Sequence, residues 1–135
     1  MTIKSIIAEK TLILIAGALL IVIGISILVA PVEFYAASSI EVGSNISLMS
    51  ELKAPAGLLL AAGAFIIIAL FRPHLAGNAL SLSALIYLSY ALSRTLSMAS
   101  DGMPADGLVL AALLEAILGL ACLTVVIMRR LSPRN

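Results

Sequence analysis

Residues 11–30 read TLILIAGALLIVIGISILVA, a run without a single charged residue that stops at Pro31. A helix needs about 20 apolar residues to cross the hydrocarbon core of a bilayer, and this run has that length. Three further apolar runs follow, at about residues 54–71, 79–99 and 107–128. Only helices and closed barrels satisfy their backbone groups in lipid, and these continuous runs do not alternate as strands do. They predict four membrane-spanning helices.

The composition of the whole chain agrees with an integral membrane protein. Of its 135 residues, 62% are hydrophobic and 11% are charged, and the mean hydropathy is +1.21. Charged residues make up about a quarter of an ordinary soluble domain. The length is that of one domain, residues 1–135. The predicted fold class is therefore an all-α integral membrane four-helix bundle.

Charge and cysteine content argue against several classes of function. A net charge of +1 without a basic patch argues against nucleic acid as a partner. The lone Cys122 cannot form an intrachain disulfide, and the lone His74 has no neighbour at metal-ligand spacing. We find no Ser–His or Cys–His pair and no phosphate-binding loop. The sequence therefore favours a protein that is not an enzyme and predicts neither a metal nor a cofactor.

Basic residues in the connections predict the orientation. The acidic residues of the first and third connections fall on one side, with Lys53 as the one connection base there. Six of the eight basic residues fall on the other side: Lys4, Lys10, Arg72, Arg129, Arg130 and Arg134. By the positive-inside rule, both termini are predicted to lie in the cytoplasm.

The first run is also open to interpretation as a signal peptide, because Lys4 and Lys10 precede it. That run is about twice the length of a typical signal-peptide core, and no small-residue cleavage site follows it. Cleavage would leave three spans, so we favour the interpretation with four.

The connection between the first two runs, residues 31–53, is long and partly apolar. Long connections without a function are uncommon in compact domains. Phe34 and Tyr35 fall at the depth of the membrane interface, where aromatic rings anchor. We expect a folded cap on the outer surface. Pro55 suits the first turn of the second span, or lies inside a helix that starts earlier, near Ser47.

Arg94 and Glu115 are ionisable residues placed inside apolar runs. A charge near the bilayer centre costs about 2.5–3.5 kcal/mol on insertion scales, so it usually faces the bundle interior and has a partner. Both residues fall in the outer half of their spans, which predicts that they pair. Tyr87 and Tyr90 share the Arg94 face of the third helix. Glu51, at the top of the second span, is a further candidate.

Small residues mark the faces of the other three helices. Gly17 and Gly24 align on the first, and Gly119 lies on the Glu115 face of the fourth. On the second helix the aligned small residues are Gly57, Ala61 and Ala64. Such faces let membrane helices approach closely, because packing and hydrogen bonds hold them together in lipid.

Several motifs resemble a known family. They are PVEFY at 31–35, SELKAPAG at 50–57, FRP at 71–73, Tyr87-Leu-Ser-Tyr90 with Arg94, DGMP at 101–104, and Leu114-Glu115. Together they resemble the family catalogued as domain of unknown function 4345, over nearly the whole chain. The resemblance implies a small bacterial four-helix membrane protein, distantly similar to the DoxX-like group, with no established activity. The predicted location is the bacterial inner (cytoplasmic) membrane, crossed several times.

Two interpretations of the charged pair stay open. In the first, an outward-facing pocket lined by Tyr87, Tyr90, Arg94, Glu115 and Glu51 binds a small amphipathic or lipid-like molecule. In the second, the pair is purely structural, and the protein is an accessory subunit that packs against its own copies or another membrane protein. Snorkelling of Arg94 to the head groups would weaken both. The predicted partners are thus the bilayer, a lipid-like ligand, and further copies of the chain or another membrane protein.

Overall fold

A computed structural model describes residues 3–131, with side chains from residue 5 onward. All the secondary structure in this range is helical. The helices are α1 (Ile3–Val29), α2 (Pro31–Ala36), α3 (Ile46–Ile68), α4 (Ala76–Asp101) and α5 (Asp106–Leu131), with a 3-10 turn at Pro73–Leu75. Four of them, α1, α3, α4 and α5, are long and apolar enough to span a membrane. The predicted all-α, four-helix architecture is confirmed for the described residues.

The helix α3 differs most from the predicted apolar run, since it begins at Ile46 rather than near Ala54. Asn45 explains this early start, because its side-chain Oδ1 accepts a hydrogen bond from the backbone N–H of Leu48 at 3.0 Å. An N-cap of this kind satisfies a backbone donor that the first turn leaves free. Pro55 consequently lies inside a longer helix, which is the second of its two predicted positions.

The helices α1 and α3 form one close pair, and glycines set their approach. A Cβ atom added at Gly63 would lie 2.7 Å from Cγ1 of Ile21 and 2.9 Å from the carbonyl oxygen of Gly17. One added at Gly24 would lie 3.0 Å from the carbonyl oxygen of Ala56. The two backbones are thus too close for any side chain at these positions. The small residues predicted on the first helix lie at this interface.

The helices α4 and α5 form the second close pair. A Cβ atom added at Gly119 would lie 2.7 Å from Cγ of Leu88 and 3.0 Å from its backbone nitrogen. The turn between the two helices begins at Gly102, whose φ of +101° is one that glycine adopts without strain. This turn makes the helices antiparallel, so residues near the end of α4 face residues near the start of α5.

The two helix pairs meet along a less extensive interface, formed mainly by α1 and α3 against α4. Its buried residues include Ile13 and Ala16 of α1 and Leu80 and Tyr87 of α4, none more than 4% exposed. The structure is therefore two tightly packed pairs joined by a narrower contact.

The first connection packs against α1 and α3 at the end of the bundle where α1 and α4 end. Its helix α2 packs on α1 and α3. The Phe34 and Tyr35 rings meet edge to face, with centroids 5.3 Å apart, and both pack against the core. Val42 is 4% exposed. We call this end of the molecule the capped end, and the opposite end, where the described chain begins and stops, the terminal end.

Candidate functional site

Arg94 of α4 and Glu115 of α5 form an ion pair near the capped end. The Nε atom of Arg94 donates to both carboxylate oxygens of Glu115, at 3.0 Å to Oε2 and 3.2 Å to Oε1. The side chains are 30% and 15% exposed, respectively. The pairing that the sequence predicts for these two residues is confirmed.

The antiparallel packing of α4 and α5 explains why these two residues meet. Arg94 lies about 10 Å along the helix axis from the end of α4 at Asp101, and Glu115 about 13 Å from the start of α5 at Asp106, at about 1.5 Å per residue. The two side chains are therefore at nearly the same depth. Gly119, one turn further along α5, brings the helix backbones close enough for direct contact.

Two tyrosines lie near this pair. Partial burial, and then Tyr90, raise the pKa of the Tyr35 phenol, while the Arg94 guanidinium acts to lower it. These effects place Tyr35 of the cap in the electrostatic neighbourhood of Tyr90 and Arg94. Tyr90 itself is 37% exposed. Tyr35 is thus a neighbour of the pair that the sequence pattern marked only as an interface aromatic.

Tyr87 has a different environment from Tyr90. It is 4% exposed, and its hydroxyl donates a 2.7 Å hydrogen bond to the carbonyl oxygen of Ala16 in α1. Its polar atom therefore serves the contact between the helix pairs. The sequence placed both tyrosines on one face of the third helix, but only the neighbouring helices decide what each hydroxyl reaches.

Glu51, the fifth predicted site residue, lies exposed in the second turn of α3. Its side chain makes no ion pair or hydrogen bond with the other residues in the range 3–131. The structure therefore pairs Arg94 with Glu115 and directs the Tyr87 hydroxyl to Ala16. Tyr90 and Glu51 are exposed.

A second ion pair lies at the terminal end, and the sequence interpretation missed it. Arg129 of α5 donates through Nη1 to both carboxylate oxygens of Glu9 in α1. Glu9 is 9% exposed. The sequence assigned Arg129 to the basic side of the membrane and did not single out Glu9. The sequence did contain a signal for this pair. Because both termini are predicted on one side of the membrane, Glu9 and Arg129 are expected at a similar depth.

This second pair borders a cavity of about 1140 Å³ between α1, α4 and α5. Its polar lining includes Glu9, His74, Asn78, Arg129 and Arg130. A smaller cavity of about 330 Å³ lies beside the first turns of α3, from Ser44 to Lys53. Neither of these two cavities includes Arg94 or Glu115.

The capped end offers hydrogen-bond donors to a ligand. Arg94 uses only Nε to hold Glu115, so its two terminal nitrogens donate no hydrogen bond within the described part of the chain. The phenol of Tyr90 adds another donor. Within residues 3–131, no three side chains of the His, Cys, Asp or Glu type come together in a way that would hold a metal ion.

Comparison with known proteins identifies the family. The family model described as "Domain of unknown function (DUF4345)" matches residues 8–126. No curated protein and no solved structure matches the chain. The matched region contains Arg94, Glu115 and Glu9, whereas Arg129 follows it. With a match over most of its length and four helices able to span a membrane, the chain belongs to the DUF4345 family.

Proposed function

We propose that the capped end binds the polar head of a small amphipathic molecule, with Arg94 as the principal contact. The observation that carries this proposal is that the Arg94 guanidinium group uses only one of its three nitrogens for hydrogen bonds to described residues. Nε holds Glu115, while the terminal nitrogens have no partner among the described residues and the side chain is 30% exposed. Intramembrane ionisable groups are functional-site candidates by default.

The head group that fits this arrangement carries acceptor oxygens. The two terminal nitrogens of an arginine form a planar fork that matches a carboxylate or phosphate, and they also donate to carbonyl oxygens. Glu115 already balances the charge of Arg94. The site therefore favours a neutral or singly charged head, as in a quinone or a fatty acid, over a highly charged one.

Exposed leucines lie at about the depth of the pair on both helices. Leu92 and Leu96 of α4 are each 61% exposed, and Leu113 and Leu114 of α5 are each 57% exposed. In a bilayer these side chains contact acyl chains. A lipid-like ligand would place its head beside Arg94 and its tail among the acyl chains around these helices. With both termini in the cytoplasm, as the positive-inside rule predicts, the site would open toward the outer side.

Native mass spectrometry of lipid-containing preparations tests this proposal. We expect a bound small molecule on the wild type and on Arg72→Gln, a control that removes an exposed arginine elsewhere, and its loss from Arg94→Gln. The variant Arg94→Gln with Glu115→Gln leaves no unpaired charge, so ligand loss from it at an unchanged melting temperature excludes unfolding as the cause. Equal retention by all four proteins would overturn the proposal.

A second candidate function is that of a subunit in a larger membrane assembly. One observation favours it: Gly57, Ala61 and Ala64 of α3 are exposed rather than buried in the bundle. A Cβ atom added at Gly57 would meet nothing within 4 Å. Small residues on a membrane helix typically serve close helix contacts, and here the described chain supplies no partner for them.

Crosslinking in the native membrane tests this second candidate. We expect Ala61→Trp to abolish crosslinked species, because the indole ring would keep a partner helix away from this face. A matched control is Leu58→Trp, at a position already occupied by a large, 70% exposed side chain. A wild-type protein that is monomeric and free of partners in the membrane would rule this candidate out.

A further inference from the structure

The cavity at the terminal end lies far along the bundle from Arg94 and has its own polar groups. It opens between α1, the start of α4 and the end of α5. Arg129 lines this cavity, its guanidinium pairs with Glu9, and its Nε would lie 3.9 Å from a Cβ atom added at Gly77. Arg129 of α5 thus pairs with α1 and lies beside Gly77 of α4, where a side chain would make only an ordinary van der Waals contact with it.

The described residues that line this cavity carry a net positive charge. Glu9 is 9% exposed, and its two oxygens are engaged by Arg129, so these two charges cancel. Arg130 also lines the cavity and has no ion-pair or hydrogen-bond partner among the described residues. Among the described lining residues, the guanidinium charge of Arg130 therefore has no balancing carboxylate. A buried carboxylate alone would repel an anion, but here its own arginine neutralises it.

The remaining polar lining is rich in donors. The amide of Asn78, the hydroxyl of Ser81 and the imidazole of His74 border the same space as Arg130. Oxygen atoms of a phosphate accept hydrogen bonds from all of these groups. The wall formed by Val125, Val126 and Met128 is apolar. The cavity thus combines a cationic, donor-rich rim with a hydrophobic side.

We propose that this terminal-end cavity binds a phosphate group that carries a net negative charge. Basic pockets between membrane helices on the cytoplasmic side bind anionic lipid head groups, and the terminal end is the side that the basic residues predict to be cytoplasmic. The phosphate belongs either to an anionic phospholipid, whose chains would follow the apolar wall, or to a free anion. This site is separate from the one proposed at Arg94 and does not depend on it.

The test is a titration of the detergent-purified protein with short-chain phosphatidylglycerol and phosphatidylcholine, followed by native mass spectrometry. We expect tighter binding of phosphatidylglycerol, because only its head group has net charge. Arg130→Gln should weaken that binding about fivefold, which corresponds to ~1 kcal/mol per arginine near a membrane surface. Arg130→Lys should retain most of it, and the matched control Arg72→Gln should retain all of it.

A competition experiment separates the two sources of phosphate. Displacement of phosphatidylglycerol by millimolar inorganic phosphate would identify a free anion as the ligand, and resistance to displacement would identify the lipid. Since Arg130 has no described partner, the melting temperature of Arg130→Gln should equal that of the wild type, which excludes unfolding as the cause of weaker binding. Equal binding of the two lipids, or equal binding by Arg130→Gln and Arg72→Gln, would overturn the proposal.

Discussion

The Tyr87 hydroxyl donates a 2.7 Å hydrogen bond to the backbone carbonyl oxygen of Ala16, across the interface between α4 and α1. Another polar contact, the Glu9–Arg129 ion pair, joins α1 to α5 at the terminal end. By contrast, Arg94 and Glu115 pair within the closely packed α4 and α5. Within residues 3–131, two of these three polar contacts join the helix pairs, and the third lies inside one pair.

Removal of the Tyr87 hydroxyl should weaken the contact between the helix pairs. We expect Tyr87→Phe to lower the free energy of unfolding by about 0.6 kcal/mol, the average value of an interhelical hydrogen bond in a membrane protein. Unfolding in mixed micelles measures the change. Tyr90→Phe is the matched control, since that ring is 37% exposed. If both variants lose the same stability, the Ala16 contact is not the cause.

The Arg94–Glu115 pair predicts a strong double-mutant coupling. Arg94→Leu or Glu115→Leu alone leaves the other charge unpaired inside the bundle, which should cost roughly 1–3 kcal/mol, less than a fully buried pair because Arg94 is 30% exposed. The double leucine variant removes both charges and should recover most of the loss. Thermal unfolding of all four proteins gives the coupling energy. Losses that simply add would show that the two side chains act independently.

Glycine substitutions on α3 should have opposite effects on its two faces. Gly63→Ala places a methyl group 2.7 Å from Ile21 and 2.9 Å from the Gly17 carbonyl oxygen, so we expect a loss of about 1–3 kcal/mol. Gly57→Ala has open space around it and should gain up to ~1 kcal/mol from the higher helix propensity of alanine. Melting temperatures in detergent compare the two. A destabilising Gly57→Ala would instead indicate a contact at that face.

The position of Tyr35 near Arg94 predicts how the pKa of its phenol responds to substitution of Arg94. Its pKa lies above the ordinary value of 10.0, mainly because of burial, and Arg94 opposes the rise. Arg94→Gln should therefore raise the pKa of Tyr35 further, whereas Arg72→Gln should not. NMR of ring-labelled tyrosine measures this. An unchanged pKa in Arg94→Gln would mean that the cap does not lie near the ion pair.

The same shift has a consequence for stability at alkaline pH. The folded protein holds the phenol proton of Tyr35 more tightly than the unfolded chain does. The resulting contribution to the free energy of unfolding is fully present below pH 10.0, and it is lost as the pH rises through the higher pKa of the folded state. Tyr35→Phe should remove this part of the alkaline loss. The measurement is the free energy of unfolding of both proteins between pH 9 and the folded pKa, at about half-unit steps.

The predicted orientation is open to cysteine labelling in intact cells. In a Cys122→Ala background, a membrane-impermeant reagent should reach Glu41→Cys and Met103→Cys, but not His74→Cys. Met103 is a better position than its neighbour Gly102, whose φ of +101° disfavours a side chain. The reverse pattern would place both termini outside and would turn the site at Arg94 toward the cytoplasm.

Sequence patterns were sufficient for the parts of this protein that hydropathy controls. The four spans follow from the thickness of the bilayer and from the need to satisfy backbone groups in lipid. The pairing of Arg94 with Glu115 follows from the cost of leaving either charge alone at similar depth. The start of α3 was open on sequence alone, because a proline suits either a first turn or an interior kink, and the Asn45 cap decides it.

Only the tertiary structure decided which neighbouring helix each polar side chain contacts. Tyr87 and Tyr90 share one stripe of α4, yet one hydroxyl bonds Ala16 and the other ring is partly exposed, because α1 covers only part of that stripe. The Glu9–Arg129 pair joins residues from opposite ends of the chain, and no local pattern connects them. The sequence by itself thus determined how many helices cross and which charges need partners. Helix rotation and neighbour choice depend on backbone contacts at glycines such as Gly63 and Gly119, and hydropathy does not encode them.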